Sequence, residues 1–277
     1  MNSNLVYDFG LHRGEDTEFY LKKGFRVVAV EANPQLIEEC RLKFRDELEV
    51  GRLHIVEGAI APPSAGDTVT FYRNPRASIW GTIEPDWADR NAARGFESEA
   101  IQLPRIDVPD VFARFGVPHY VKIDVEGVDI LVLDALREFP KRPNYLSIES
   151  EKVDFDELIK EFDLLEGLGY TKFKVVQQRS IPGRTVQVRT VDGKPIAYTF
   201  MECASGPFGE DIPQPWLTRD QAIASYKEIF ARYRMFGDRS VYSKLPRVAK
   251  GVISTAYKAT TGYRGPLPGW FDTHASL

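Results

Sequence analysis

Cysteine is scarce in this chain of 277 residues: there are two, Cys40 and Cys203, far apart and in no CxxC or Cys/His cluster. That scarcity excludes a disulfide framework and argues against a structural zinc site. Histidine is nearly as rare, and His12, His54, His119 and His274 show no metal-ligand spacing. Long apolar runs are missing too. None approaches the roughly 20 residues that span a bilayer. The opening Met1-Asn2-Ser3-Asn4 lacks the basic stretch that precedes the apolar core of a secretory leader, so the expected location is the cytoplasm. A further absence concerns phosphates. No strand-to-turn junction carries G-x-G-x-x-G, whose middle glycine lets backbone approach a pyrophosphate.

What is present is ordinary globular material, 43% hydrophobic and 27% charged, enough to bury a core. The net charge of −4 is unevenly spread. From Trp216 to Leu277 there are ten Lys/Arg against four Asp/Glu, whereas the remainder carries 26 against 36. Such asymmetry points to different contacts for the two parts. It divides the chain into a domain over 1–203 and a basic C-terminal extension over 204–277.

The first 180 residues alternate short apolar runs with amphipathic stretches, the mark of βαβ units and a mainly parallel sheet. Strands are predicted at 5–9, 26–30, 53–56, 68–72, 120–125, 145–148 and 173–177. Helices are predicted at 15–23, from Asn33 to about Leu48, and at 106–115, 127–139 and 154–168. Asn33 supplies an N-cap and Pro34 a first helical position. Residues 78–96 read as a long polar and aromatic excursion. A hairpin is expected around Asp192-Gly193, a loop over 204–216 and a helix from Thr218 to about Arg234. The fold class is thus a Rossmann-like, doubly wound α/β sheet with a C-terminal helical extension.

In such a sheet, ligands bind outside the carboxyl ends of the strands, where strand order reverses. The first turn there is Asp8-Phe9-Gly10-Leu11-His12-Arg13-Gly14. Gly10 and Gly14 leave room against the backbone, because neither has a Cβ. This turn suits a ligand with no phosphates and a cationic amino-acid end near Asp8, which fits S-adenosylmethionine. Glu31 and Asn33 follow the second strand, where a carboxylate can accept from both ribose hydroxyls. Glu57, Gly58 and Ala59 follow the third and would border an adenine ring. The fourth, Tyr120-Val121-Lys122-Ile123-Asp124-Val125-Glu126-Gly127, brings Asp124 and Glu126 to its end. Either is a candidate base, although Glu126 would also serve as a first-turn acid complementing a helix dipole.

With these residues in view, the chain resembles the FkbM family of methyltransferases. The likeness rests on Asp8 to Gly14, Gly14-Glu15-Asp16-Thr17, Val30-Glu31-Ala32-Asn33-Pro34 and, above all, Lys122 to Gly127. It covers about residues 5–178. It implies a class I methyltransferase fold with S-adenosylmethionine as donor. It also implies methyl transfer, commonly to a hydroxyl of a sugar, glycan or secondary metabolite. Leu11-His12-Arg13 is bulkier and more basic than the small residues usual in that turn.

Other residues complete the expected site. Ser78, Trp80 and Trp87 lie in the excursion, where an acceptor-binding lid is expected and where indole faces would stack on sugar CH surfaces. Glu149 ends a strand facing the cleft, and His12 sits in the first turn. No metal is required, although Asp124 with Glu149 would offer Mg²⁺ a weak seat. The basic extension reads as a solvated flank, as an arm for an anionic acceptor, or as a contact for anionic lipid. Nucleic acid is not expected, for the chain is acidic overall and carries no such motif. The rival functions are a nicotinamide-dependent oxidoreductase, disfavoured by the missing glycine pattern, and a methyltransferase-like binding module without chemistry.

Overall fold

The computed structural model describes every residue except 1, 76–80, 93–94, 126 and 238–239, with backbone alone for 2 and 91. The first strand, β1 (Asn2–Phe9), feeds α1 (Glu15–Lys22), β2 (Arg26–Glu31), α2 (Pro34–Lys43), α3 (Arg45–Glu49) and β3 (Leu53–Glu57). A smaller unit follows: β4 (Ala59–Ile60), β5 (Thr68–Arg73), α4 (Pro85–Ala92) and β6 (Glu99–Ile106). The chain then returns through α5 (Val108–Phe115), β7 (Pro118–Ile123), α6 (Asp129–Ala135), β8 (Tyr145–Glu149), α7 (Phe155–Gly167) and β9 (Lys172–Gln177). It ends with the hairpin β10 (Thr185–Arg189) and β11 (Pro195–Thr199), then α8 (Arg219–Phe236), α9 (Arg247–Thr261) and β12 (Phe271–Ser276).

The main sheet has seven strands in the order β3-β2-β1-β7-β8-β12-β9. All neighbours are parallel except β12, which is antiparallel to β8 and to β9. Strand order reverses between β1 and β7, and this reversal sets the ligand crevice. Period-two alternation in β1 builds a core on each face. Leu5, Tyr7 and Phe9 join the layer under α5 to α8, whereas Val6 packs with Phe19, Val27, Phe44 and the hairpin's Val186 and Tyr198. The smaller sheet, β4-β6-β5, has its own cluster around Val69, Phe71 and Leu103.

Three differences from the sequence reading have physical causes. The helix expected from Asn33 to Leu48 breaks at Phe44, whose φ of −112° and ψ of 31° are not helical, so two helices replace one. The excursion over 78–96 is followed by β6, whose exposed Glu99, Ala100, Gln102 and Pro104 hide the alternation. The helical extension forms, with Thr218 and Gln221 making a reciprocal capping box at the start of α8. The chain does not stop there, however. Its last strand, β12, enters the main sheet between β8 and β9, so residues after 203 complete the sheet as well as flanking it.

Candidate active site

A cleft of about 1410 Å³ opens along the carboxyl ends of the strands. Gly10, at the end of β1, and Asp124, at the end of β7, meet at the switch point. Gly10 has φ +92°, and a Cβ there would lie 2.0 Å from the Asp124 carbonyl oxygen, so no other residue fits. The Gly10 and Leu11 N–H groups both donate to the Val30 carbonyl, at 3.1 and 3.0 Å, which ties this turn to β2.

Beneath the turn, Lys122 is buried among carboxylates. Its Nζ donates to the Gly10 carbonyl at 3.1 Å and lies 3.5 Å from Asp8, 3.7 Å from Asp16 and 3.4 Å from Asp124. Burial opposes its charge, but these acids hold the ammonium well above its usual range. Burial pushes Asp8 up against the pull of Lys122, and pushes Asp16 up to about 7. The arrangement is a floor of one buried ammonium among three carboxyl groups under the switch point. Lys122 was open to discovery in the sequence, since a lysine inside an otherwise apolar parallel strand calls for buried partners.

Glu31 faces the cleft at the end of β2, with its carboxylate held by three backbone donors. Oε1 accepts from the Ala32 and Asn33 N–H groups at 3.0 and 2.8 Å, and Oε2 accepts from the His12 N–H at 2.8 Å. Burial raises its pKa despite these bonds. Gly58 and Ala59 line the same end, and a Cβ on Gly58 would meet the Pro104 carbonyl at 2.5 Å. His12 also lines the cleft, at φ +50°, with Nδ1 3.0 Å from Glu15 Oε1. His12, Glu15 and Cys203 bring ligand atoms within 4.8 Å of one another.

Of the other expected site residues, Asp124 and Glu149 line the cleft with Gly10, Glu31, Gly58 and Ala59. Four do not. Asp8 lies in the floor, where it accepts from Thr17 Oγ1 at 2.6 Å. Gly14 caps α1 at φ +72°, where a Cβ would strike the Phe44 ring at 2.3 Å. Asn33 caps α2, its Oδ1 accepting from the Gln35 N–H at 3.1 Å. Glu57 turns outward to pair with Arg41. Glu126, Ser78 and Trp80 lie outside the described residues. Trp87 lines the cleft with the Arg90 guanidinium 4.7 Å over its ring, beside Gly81, Thr82 and Ile83.

A second group of acids sits beyond Asp124, whose side chain is 29% exposed. Asp129, five residues on, accepts from the Val125 and Gly127 N–H groups at 3.1 and 3.4 Å and so shapes the intervening turn. Burial, with Asp124 nearby, pushes it up to about 7. Glu149 pairs with Lys152, and burial raises it. Glu161 is pushed up to about 8 by burial. Its Oε2 accepts the Glu151 N–H at 3.3 Å.

The far wall comes from segments remote in sequence. Gln178 is 3% exposed and lines the cleft, and among the described residues neither its amide oxygen nor its amide nitrogen has a partner. Its N–H donates to the Trp270 carbonyl at 2.8 Å, and Gln177 Oε1 accepts the Trp270 N–H at 3.0 Å. Trp270, Pro268, Gly269 and Tyr233 are the parts of the extension that reach the wall beyond Ala204; none of its described Lys or Arg does. Nothing in the sequence marks Gln178 or Trp270, because their meeting depends on where β12 inserts.

A sequence model of the Methyltransferase FkbM domain matches residues 8–172. No curated protein is significantly similar to the chain. Among solved structures, an FkbM methyltransferase from Methylobacillus flagellatus is 16% identical, with a TM-score of 0.39 over 63% of this chain and 40% of that one. A SAM-dependent methyltransferase from Archaeoglobus fulgidus is 11% identical, with a TM-score of 0.38 over 99% and 86%. A precorrin-6y C5,15-methyltransferase from Geobacter metallireducens is 15% identical, with a TM-score of 0.36 over 72% and 77%. Likenesses this remote carry no weight on function.

Proposed function

The chain belongs to the FkbM methyltransferase family, and we propose that it O-methylates a neutral, hydroxyl-rich acceptor, a sugar or sugar-like metabolite, with S-adenosylmethionine as donor. The donor fits the residues present. Gly10, which lines the cleft where strand order reverses, together with the anchored Glu31 carboxylate, Gly58 and Ala59, suits a nucleoside carrying a small amino-acid end. When bound, the donor supplies a methyl group on a positively charged sulfur.

Everything else is done by the chain. The observation that carries the acceptor reading is Gln178, a cleft-lining residue whose buried side-chain amide has no hydrogen-bond partner among the described residues. A buried amide left unpaired is costly, so a ligand hydroxyl there would recover its hydrogen bonds. Trp270 beside it offers a flat apolar face of the kind that packs on sugar rings. Asp124, at the end of β7, takes the acceptor's proton while the oxygen bonds to the methyl carbon and the carbon–sulfur bond breaks, its electron pair leaving with the sulfur. Holding oxygen and methyl in line contributes several kcal/mol, on the order of what positioning supplies elsewhere. The extension gives an anionic acceptor no support, because its described basic residues stand off the cleft; the basic residues that line it, Arg90, Arg137, Lys152, Lys160 and Arg179 among them, come from the preceding domain. Cytoplasmic placement is supported by two unpaired thiols, Cys40 and Cys203.

The test is transfer of labelled methyl groups to panels of neutral and of phosphorylated sugars. Asp124→Asn should cut turnover about 10²-fold while calorimetry with S-adenosylhomocysteine shows far less change. Transfer confined to nitrogen or carbon acceptors would overturn the reading. So would equal losses of binding and rate in the variant.

A further inference from the structure

Helix α9 faces the wrong way for a helix that belongs to a protein core. None of its side chains is buried. Toward the body it presents Tyr257, whose ring lies 4.8 Å from that of Phe236, and Lys250, whose Nζ donates to the Ser243 carbonyl at 2.7 Å. Val248, Val252, Ala256 and Ala259 share a different face at helical spacing, and all four are exposed. Val248 is 80% and Val252 66% accessible, with Ile253 at 40% beside them and Val241 at 78% on the preceding turn. An aliphatic stripe turned to water is normally covered by something.

The charge around the stripe says what covers it. Between Arg239 and Phe271 the chain carries six Lys/Arg and no Asp or Glu. Lys244, Arg247 and Arg264 are exposed, and no described carboxylate pairs with any of them. A second copy of the chain, docked face to face, would set this unrelieved positive segment against itself. Apolar residues ringed by Lys and Arg are what a helix lying in the interface of an anionic bilayer requires. We propose that α9 docks this protein on anionic lipid membranes. The chain leaves the cleft wall at Tyr233 and rejoins it at Pro268, so α9 is an outward loop of that wall. Docking would set the cleft beside the lipid surface. This inference stands apart from the acceptor reading, since it concerns binding and not transfer.

The experiment is co-sedimentation of the full chain with vesicles of phosphatidylcholine, alone and mixed with phosphatidylglycerol, at low and high salt. Binding should appear on the mixed vesicles and weaken with salt. Lys244→Ala and Arg247→Ala should each weaken it about fivefold. Val248→Asp combined with Val252→Asp should weaken it more than about tenfold, with circular dichroism and S-adenosylhomocysteine affinity unchanged. Equal binding to both vesicle types, or to neither, would overturn the proposal. So would reversible self-association in sedimentation velocity that the Val248→Asp variant abolishes.

Discussion

The two ends of the cleft are built in different ways. The end proposed to take the donor comes from the carboxyl ends of β1, β2, β3 and β7, and its parts hold one another through backbone. Gly10 lies under the Asp124 carbonyl, Glu31 is fixed by three N–H groups, and Gly58 lies against the Pro104 carbonyl. The far end is a junction of side chains: Gln178 after β9, Tyr233 on α8 and Trp270 before β12. A site made of backbone tolerates almost no change in shape. A site made of side chains can alter its ligand by substitution while the sheet stays intact.

The contrast breaks most sharply at Gly10. Gly10→Ala puts a methyl group 2.0 Å from a carbonyl oxygen and forces an alanine to φ +92°. Strain and overpacking together should cost about 2–5 kcal/mol. Turnover should fall by about 10²-fold or more as the two strand ends are pushed apart. Thermal unfolding and single-turnover transfer check this, and a variant of native stability and rate would mean the switch point is looser than its geometry says. Glu31→Ala comes next. Loss of a charged acceptor should weaken S-adenosylhomocysteine binding by about 1.5–3 kcal/mol, read by calorimetry. An unchanged dissociation constant would remove Glu31 from the donor end.

The same contrast decides what was legible in the sequence. Donor-end residues lie next to their own strand ends, so a strand, a turn and a carboxylate in the right order were enough to place Gly10, Glu31, Gly58, Ala59 and Asp124 on the cleft. Type and position did not reveal direction. Asp8 and Glu57 share the sheet face of Glu31 and Asp124 by register, yet Asp8 lies two residues deeper, in the floor, and Glu57 reaches out to Arg41. Gly14 and Asn33 serve helix starts. The far end was not legible. β12 reads Phe271-Asp272-Thr273-His274-Ala275-Ser276, and Asp272 through Ser276 are all buried. A strand that buries polar residues shows no hydrophobic period, so its place in the sheet, and the wall it brings along, depend on contacts long-range in sequence.

A milder perturbation suffices at the far end. Trp270→Ala should raise the acceptor KM about threefold to tenfold, the loss of one aromatic face, with donor affinity unchanged. If donor binding falls as well, the two ends are one unit and the comparison fails. Gln178→Ala provides the matching polar test, and its effect should be confined to acceptors that offer a hydroxyl.

A change in stability, and not in binding, is expected at Glu161 on the same wall. Its carboxyl ionises near 4.5 when exposed but only near 8 in the fold, because burial disfavours the charge. Between those pH values the unfolded chain has released a proton that the folded chain keeps. Stability contributed by the neutral acid is therefore complete below about pH 4.5 and is lost as pH rises toward 8. Glu161→Gln keeps the shape and the acceptor that meets the Glu151 N–H, yet has no proton to lose. At pH 8 the variant should be more stable than the parent by up to about 4 kcal/mol, and at pH 5 by less than about 1 kcal/mol. Thermal unfolding across that range reads the difference directly. A constant gap at every pH would mean that packing, and not ionisation, sets the effect. Donor binding should not move at all, since Glu161 stands at the end of the cleft that β12 completes.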